Sequence, residues 1–303
     1  MIYTVTLNPA LDYVMQVKKL RFDDINRSYF EDLHYGGKGI NVSVLLKRLG
    51  VKTRAFGFIA GFTGERLEQL LTEEGVDCDF IRLKKGSTRI NVKIKSDTEL
   101  DINARGPVIE ESEIERLIEK MQDIKAGDYL VLAGSIPENL PSDIYERMLS
   151  RLENRGINFV ADTTGDLLFS VLKYKPFLIK PNHHELGDLF GFKIETDSDV
   201  ITYAKRLQEM GAKNVLVSRG SKGATLLYEN GQVASVGIVE GKVVNTVGSG
   251  DSMVAGFIAG YSDTGDYKHA LRLGAASGNA TAFCESLAEA CDIQSAFQKL
   301  EIN

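Results

Sequence analysis

Residues Asn245 to Gly260, N-T-V-G-S-G-D-S-M-V-A-G-F-I-A-G, hold the spacing with most chemistry in it. Gly248, Ser249 and Gly250 are small, Asp251 follows at once, and an apolar run of helical character begins there. Two glycines allow a tight turn that aims successive N–H groups at one point. The positive end of the following helix adds to the same place. An anion pocket thus adjoins a carboxylate able to accept a proton, which is what moving a phosphoryl group onto a hydroxyl requires. The bland alternative is a strand-to-helix turn with Asp251 near the helix start.

A second cluster lies at His34–Gly50, where Gly36, Gly37 and Gly39 surround Lys38. A helix then runs through Val42, Leu45, Leu46 and Leu49 to Gly50. Without Cβ atoms a diglycine lets a ligand lie on backbone N–H groups, and Lys38 and Asn41 add donors. That suits a polyhydroxylated or phosphorylated ligand; a glycine-rich turn into a helix is the plain reading. Lys38 is followed by Gly39, and G-x-x-x-x-G-K-[ST] occurs nowhere, which argues against a P-loop kinase. G-S-G-D-S-M does not complete G-x-G-x-x-G, which argues against a nicotinamide-dependent dehydrogenase.

These residues need a scaffold, and its rhythm is visible. Tyr129–Gly134, Ile157–Asp162, Phe177–Lys180 and Asn214–Ser218 are short apolar runs suited to strands buried on both faces. Between them apolar residues recur at helical spacing: Ile114, Leu117, Ile118 and Met121; Ile144, Met148, Leu149 and Leu152; Val200, Ala204 and Leu207, with Gly211 as a stop. The alternation predicts an α/β fold with a mainly parallel sheet and helices on both faces. Leu11–Val17 and Thr88–Gly106 break the rhythm and read as antiparallel β. In the second, Ile90, Val92 and Ile94 oppose Arg89, Asn91 and Lys93, and a turn near Ser96–Thr98 leads to a return strand. Residues of about 11–36 and 87–106 are therefore expected to form a small β lid on a single domain spanning 1–303.

Composition narrows the partners. With 43% hydrophobic and 26% charged residues the chain is globular, and its net charge of −6 disfavours nucleic acid or an anionic membrane as partner. Any positive site must be local. Cys78, Cys284 and Cys291 form no C-x-x-C, pointing to a reducing compartment and no zinc site. The start M-I-Y-T-V-T-L has no signal-peptide pattern, and no apolar run could span a bilayer, so a cytoplasmic location is expected.

Taken together, G-G-K-G-I-N-V-S-V-L-L-K-R-L-G and N-T-V-G-S-G-D-S-M-V-A-G-F-I-A-G resemble the two signatures of the PfkB (ribokinase-like) carbohydrate kinase family. K-P-N-H-H-E-L (Lys180–Leu186) resembles its N-x-x-E segment and S-R-G-S-K-G-A (Ser218–Ala224) its nucleotide loop. Within the family, M-I-Y-T-V-T-L-N-P-A-L-D, T-R-I-N-V-K-I and G-S-I-P-E-N-L-P are most similar to the bacterial 1-phosphofructokinase group. The resemblance implies a ribokinase-like three-layer fold and ATP-dependent phosphorylation of a sugar phosphate. Fructose 1-phosphate to fructose 1,6-bisphosphate is the first reading; tagatose 6-phosphate is the alternative, and a non-catalytic sugar-phosphate sensor is the rival of another class.

It also implies roles, residue by residue. Asp251 matches the general base, and Gly248, Ser249 and Gly250 the anion hole. Asn182 and Glu185 match positions associated with Mg²⁺, through water. Ser218, Gly220, Gly223 and Asn279 match the ATP site, although Arg219 and Ser221–Lys222 depart from the family's usual loop. Asp12, Gly37, Lys38 and Asn41 match sugar-facing positions. Arg89 is singled out for a phosphate already on the substrate, because guanidinium binds phosphate bidentately, with Asn103 completing that wall. His183 and His184, taken as neighbours on an extended segment facing opposite ways, receive no metal role. The apolar lid face is expected to pack against a second copy in a homodimer.

Overall fold

The computed structural model describes residues 1–134 and 136–302; Ser135, within the G-S-I-P-E-N-L-P segment, and Asn303 lie outside them. The chain begins with β1 (Ile2–Thr6), β2 (Ala10–Val17), β3 (Ser28–Gly36), α1 (Lys38–Arg48), β4 (Thr53–Ala60) and α2 (Gly61–Glu73). Next come β5 (Asp77–Cys78), β6 (Ile81–Leu83), β7 (Arg89–Lys95), β8 (Glu99–Asn103), α3 (Glu111–Lys120), β9 (Tyr129–Ala133) and α4 (Ile144–Leu152). β10 (Asn158–Asp162), α5 (Gly165–Leu172), β11 (Leu178–Ile179), α6 (His183–Phe190), α7 (Asp197–Glu209) and β12 (Asn214–Ser218) follow. The chain closes with β13 (Ala224–Leu227), β14 (Val233–Val236), α8 (Ser249–Thr264), α9 (Tyr267–Ala282) and α10 (Ala290–Lys299).

The main sheet is ordered β14–β13–β12–β11–β10–β9–β1–β4–β5, with β6 also on β4. Its body is parallel, and β13 and β14 extend one edge antiparallel. Alternate residues feed two separate cores: Tyr129, Val131 and Ala133 of β9 face one, Leu130 and Leu132 the other. Burial on both sides is why these strands read as unbroken apolar runs rather than alternating ones. α1, α8 and α9 cover one face; α3, α4 and α7 cover the other. The result is the three-layer α/β architecture that the resemblance implied. Among the described residues no helix is long and apolar enough to cross a membrane.

α8 is buried from Asp251 to Gly260 and packs backbone to backbone on α9. A Cβ on Gly256 would lie 2.7 Å from the Leu273 carbonyl, closer than real contacts allow, so a side chain there would push the helices apart. This clamp fixes where α8 begins, and hence where Asp251 stands.

A second sheet is ordered β3–β2–β7–β8. One expectation changes here: β2 and β7 pair parallel, Ala10 with Arg89 through Gln16 with Lys95, and only β2–β3 and β7–β8 are antiparallel. The reason is topological. β2 follows β1 and β7 follows β6, so both leave the main sheet from the same end and run outward together. The face with Asp12, Asn91 and Lys93 lines cavities, while Ile90 and Ile102 (55% exposed) lie on the other face.

Candidate active site

The C-terminal ends of the parallel strands open into a cleft of about 750 Å³, where the crossovers of an α/β sheet leave room for ligands. Thr6, Ala133, Asp162, Lys180 and Ser218 mark the strand ends, and α1, α6, α8 and the second sheet complete the walls.

Gly248 opens α8 in the left-handed region, with φ of +80°, where a Cβ would also meet Leu287 at 2.8 Å. No side chain caps the helix. The first-turn amides of Gly250 and Asp251 have no carbonyl inside the helix to bind, so they remain as donors beside the cleft. Asp251, 6% exposed, accepts a bond from Asn41 Nδ2 at 2.8 Å through Oδ2. Burial, reinforced by the nearby Asp162 charge, pushes its carboxyl up to about 6; Asn41, Lys38 and Lys180 pull the other way without cancelling this. The first motif therefore places a carboxyl that ionises near pH 6 next to unused amides.

Asp162 ends β10 at 3% exposure, held between two ammonium groups: Lys38 Nζ at 3.2 Å from Oδ2 and Lys180 Nζ at 3.3 Å from Oδ1. Burial opposes its ionisation, but Lys180 and Lys38 outweigh burial and hold the carboxyl below the ordinary range. Burial likewise disfavours the Lys38 cation, yet Asp162 and then Asp251 raise its pKa above the usual value. A buried acid with two lysines carries local positive charge to the strand ends of a chain whose total charge is −6.

At the outer end, Asp12 Oδ1 accepts from Asn91 Nδ2 at 2.8 Å, and Lys93 Nζ stands 3.9 Å from Oδ2. Arg89 donates Nε to the Asn8 carbonyl at 3.0 Å and lines the cleft; burial lowers its pKa, partly offset by Asp12. Lys38 and Arg89 thus occupy different parts of the cleft wall: Lys38 is engaged with Asp162, whereas Arg89 is anchored at the root of the second sheet. Asn103 lies directly across from Asn91 in the β7–β8 register, but it is exposed and stands outside the cleft lining.

An adjoining pocket of about 550 Å³ shares Ser218, Gly220, Thr246 and Gly250 with the cleft and adds Gly223, Ser249 and Asn279. Val239, Val243, Met253 and Phe283 make much of its wall apolar. Asn279 holds that wall together, accepting from Val239 N at 3.0 Å and donating to the Ala275 carbonyl at 2.8 Å. Arg219, the unusual residue in the loop, pairs with Asp197 at the start of α7.

Residues 7–293 match the pfkB family carbohydrate kinase model. The chain belongs to that family. It is 46% identical to the 1-phosphofructokinase of Bacillus subtilis (strain 168) over 95% of its own length and 94% of the relative's. It is 36% identical to a D-tagatose-1-phosphate kinase of Bacillus licheniformis over 100% and 99% of the two chains. The solved phosphofructokinase-2 of Escherichia coli in complex with fructose-6-phosphate superposes with a TM-score of 0.91 at 28% identity, covering 98% of each chain.

In this sugar kinase the N-x-x-E segment has a local structural use. Asn182 is the N-cap of α6, accepting from the amides of His184 and Glu185, each at 2.9 Å, while Glu185 Oε2 accepts from the Asn182 amide at 2.7 Å. The pair is a reciprocal capping box. His183 and His184 are therefore in the first turn of a helix, not on an extended segment, and their ring centroids lie 3.9 Å apart, tilted by 39°, instead of facing opposite ways. Among the described residues no group of three acidic, histidine or cysteine side chains is arranged to hold a metal.

Asp162 and Lys180 are the cleft residues that motif reading passed over. Their signal was present: each is a charged residue ending an otherwise apolar strand, I-N-F-V-A-D and F-L-I-K. In a doubly covered parallel sheet such an end points to the ligand crevice.

Proposed function

We propose that this kinase transfers the terminal phosphoryl group of ATP to the C6 hydroxyl of fructose 1-phosphate, giving fructose 1,6-bisphosphate and ADP. The observation that carries the reading is Asp251: a buried carboxyl raised to about 6, beside the uncapped start of α8 and in the same cleft as Arg89. Asp251 takes the hydroxyl proton as the new P–O bond forms and the bond to ADP breaks. The amides of Gly250 and Asp251 stabilise the charge on the transferring group, with Gly248 and Ser249 shaping the turn. Lys38, engaged with Asp162, serves that same group, and Lys180 sets the charge of Asp162. Arg89 is left for the phosphate the substrate already carries, while Asp12, Gly37 and Asn41 contact the sugar.

The apolar pocket suits adenine, with Ser218, Gly220 and Gly223 offering backbone contacts and Asn279 fixing the wall. Mg²⁺ fits the residues in a limited way. The Asn182 carbonyl oxygen is already used twice in the capping box, whereas Glu185 has a second oxygen in the cleft that could hold a hydrated ion against nucleotide phosphates. When bound there, the ion would offset phosphate charge. The unpaired thiols of Cys78, Cys284 and Cys291 suit a cytoplasmic enzyme. The exposed Ile90–Ile102 face, with Phe22 and Ile25 exposed in the connection between β2 and β3, supports a homodimer through the lid; light scattering at micromolar concentration showing a fully active monomer would end that reading.

A second reading, tagatose 1-phosphate, is favoured by the full-length similarity to a kinase of that sugar. A coupled ATP-consumption assay over fructose 1-phosphate, tagatose 1-phosphate, tagatose 6-phosphate, fructose 6-phosphate, ribose and adenosine separates them. Fructose 1-phosphate should give the highest kcat/KM; preference for a 6-phosphate or an unphosphorylated sugar would overturn the proposal. Arg89→Ala should lower kcat/KM for fructose 1-phosphate roughly 10- to 100-fold, as loss of one charge-assisted phosphate contact does, and spare turnover of an unphosphorylated sugar.

A further inference from the structure

Arg48 is the last residue of α1, the helix whose first turn brings Lys38 and Asn41 into the cleft. Nothing in the chemistry above uses it, yet its side chain is only 12% exposed and bonded in every direction. Nε donates to Glu74 Oε2 at 3.2 Å, and Nη2 donates to Glu74 Oε1 at 2.7 Å and to the Tyr35 hydroxyl at 3.3 Å. Nη1 donates to the carbonyls of Leu287 at 2.6 Å and Ala288 at 3.3 Å, and lies 3.1 Å from Glu289 Oε1. The Tyr35 hydroxyl donates to Glu74 Oε1 at 2.9 Å. One carboxylate would suffice to neutralise a buried guanidinium; two main-chain carbonyls and a tyrosine impose geometry besides.

The bonds to Tyr35 and to Leu287 and Ala288 lead toward the cleft. Tyr35 precedes Gly36 at the end of β3, and Gly36 lies so close to Asp12 that a Cβ there would be 2.8 Å from its Cγ. Leu287 packs against Gly248, the residue that opens α8. The Ala288 amide donates to Thr281 Oγ1 at 3.2 Å, and that hydroxyl is 2.8 Å from Ser252 Oγ in the first turn of α8. Asn245 Nδ2 donates to the Glu285 carbonyl at 3.0 Å, tying the same loop to the strand of chain before Gly248.

We propose that Arg48 is a positioning residue: it sets the root of the second sheet, with Asp12, at a fixed distance from the turn that carries Gly248 and Asp251. The sugar-holding and phosphoryl-holding halves of the cleft are then spaced by one planar side chain. This rests on the phosphoryl-transfer reading of the cleft. Only a guanidinium can serve both arms, because its donors diverge in fixed directions; a lysine reaches one arm at a time.

Two variants test it by steady-state kinetics. Tyr35→Phe removes only the hydroxyl on the sheet arm and should raise KM for fructose 1-phosphate about fivefold, with kcat within about twofold of wild type, a loss of ground-state and transition-state binding alike. Arg48→Lys loosens both arms and should also lower kcat about tenfold, since small misplacements at a reacting centre are costly. The double variant should have the KM of Arg48→Lys alone, because Tyr35 acts through the same group. Arg54→Lys, which disturbs a surface pair with Asp77 away from the cleft, should leave both parameters unchanged. Native kcat and KM in folded Arg48→Lys, or additive KM changes in the double variant, would overturn the proposal. If Arg48→Lys does not fold, Tyr35→Phe with unaltered KM overturns it. Should wild type phosphorylate none of the sugars, the activity reading falls, and amide hydrogen exchange decides on Arg48 by itself. Faster exchange in both 33–37 and 245–252 on Arg48→Lys supports the spacer role, and unchanged exchange in either refutes it.

Discussion

α6 and α8 both start at the cleft, and they treat their first turns in opposite ways. α6 starts closed: Asn182 and Glu185 satisfy each other's backbone groups in a capping box. α8 starts open: Gly248 has no side chain to offer, and the amides behind it have nothing to bind. Cap and anion hole are the same set of orphan N–H groups, and the residue before the helix decides which they become. A polar side chain stabilises the helix, and a glycine in the left-handed region leaves the donors for a ligand.

The sharpest way to break this contrast is at Asp251. Asp251→Asn should leave the fold intact and reduce kcat by about 10²-fold or more, the usual scale of general-base catalysis. Near-normal turnover would mean that open amides alone suffice. Gly248→Ala comes next. A Cβ there meets Leu287 and strains the +80° φ, so the turn shifts and kcat should fall about 10²-fold, the lower end of the range seen when an oxyanion donor is lost. A fully active Gly248→Ala would show that the open start is incidental.

pH gives a smaller effect with a defined sign. The free-enzyme kcat/KM should decline about tenfold per unit below pH about 6, where Asp251 takes up a proton. Stability runs the other way. The folded carboxyl is raised above its ordinary 3.8, so its contribution is fully present below that value and is lost as pH rises through about 6. Asp251→Asn should therefore melt a few degrees higher than wild type at pH 8, and show no such gain at pH 4. Equal melting shifts at both pH values would remove the buried-charge account.

The smallest effect belongs to the closed helix. Asn182→Ala should cost about 1 kcal/mol of stability, as loss of an N-cap does, read by denaturant unfolding. The Mg²⁺ concentration for half-maximal activity should then be unchanged. If it rises several-fold, Asn182 serves the metal as well as the helix, and the contrast with α8 weakens.

Much of this was legible in the residues. Strands buried on both faces advertise themselves as apolar runs, and the glycines of α1 and α8 mark backbone positions where a side chain would not fit. What stayed hidden depends on which strand stands beside which. Asp162 and Lys180 are single charges until β10 and β11 become neighbours. The parallel pairing of β2 with β7 is invisible to period-two alternation, which is the same in either direction. His183 and His184 were misplaced because a capping box looks like a polar loop until the helix behind it is seen. Asn103 shares a register position with Asn91, yet the edge strand leaves it in solvent.

The parallel pairing of β2 with β7 also has a consequence for how the chain reaches its active form. The two hairpins are local, but the ladder joining them spans residues separated by α1, β4 and α2. A contact so distant in sequence carries a loop-closure cost that is repaid only once the intervening layer has docked. The ladder, and with it the wall holding Asp12 and Arg89, should be among the last parts of the native structure to assemble. In refolding, the secondary-structure signal should thus return ahead of phosphoryl transfer, leaving for a time a compact protein with Asp251 in place but without the wall that carries Asp12 and Arg89.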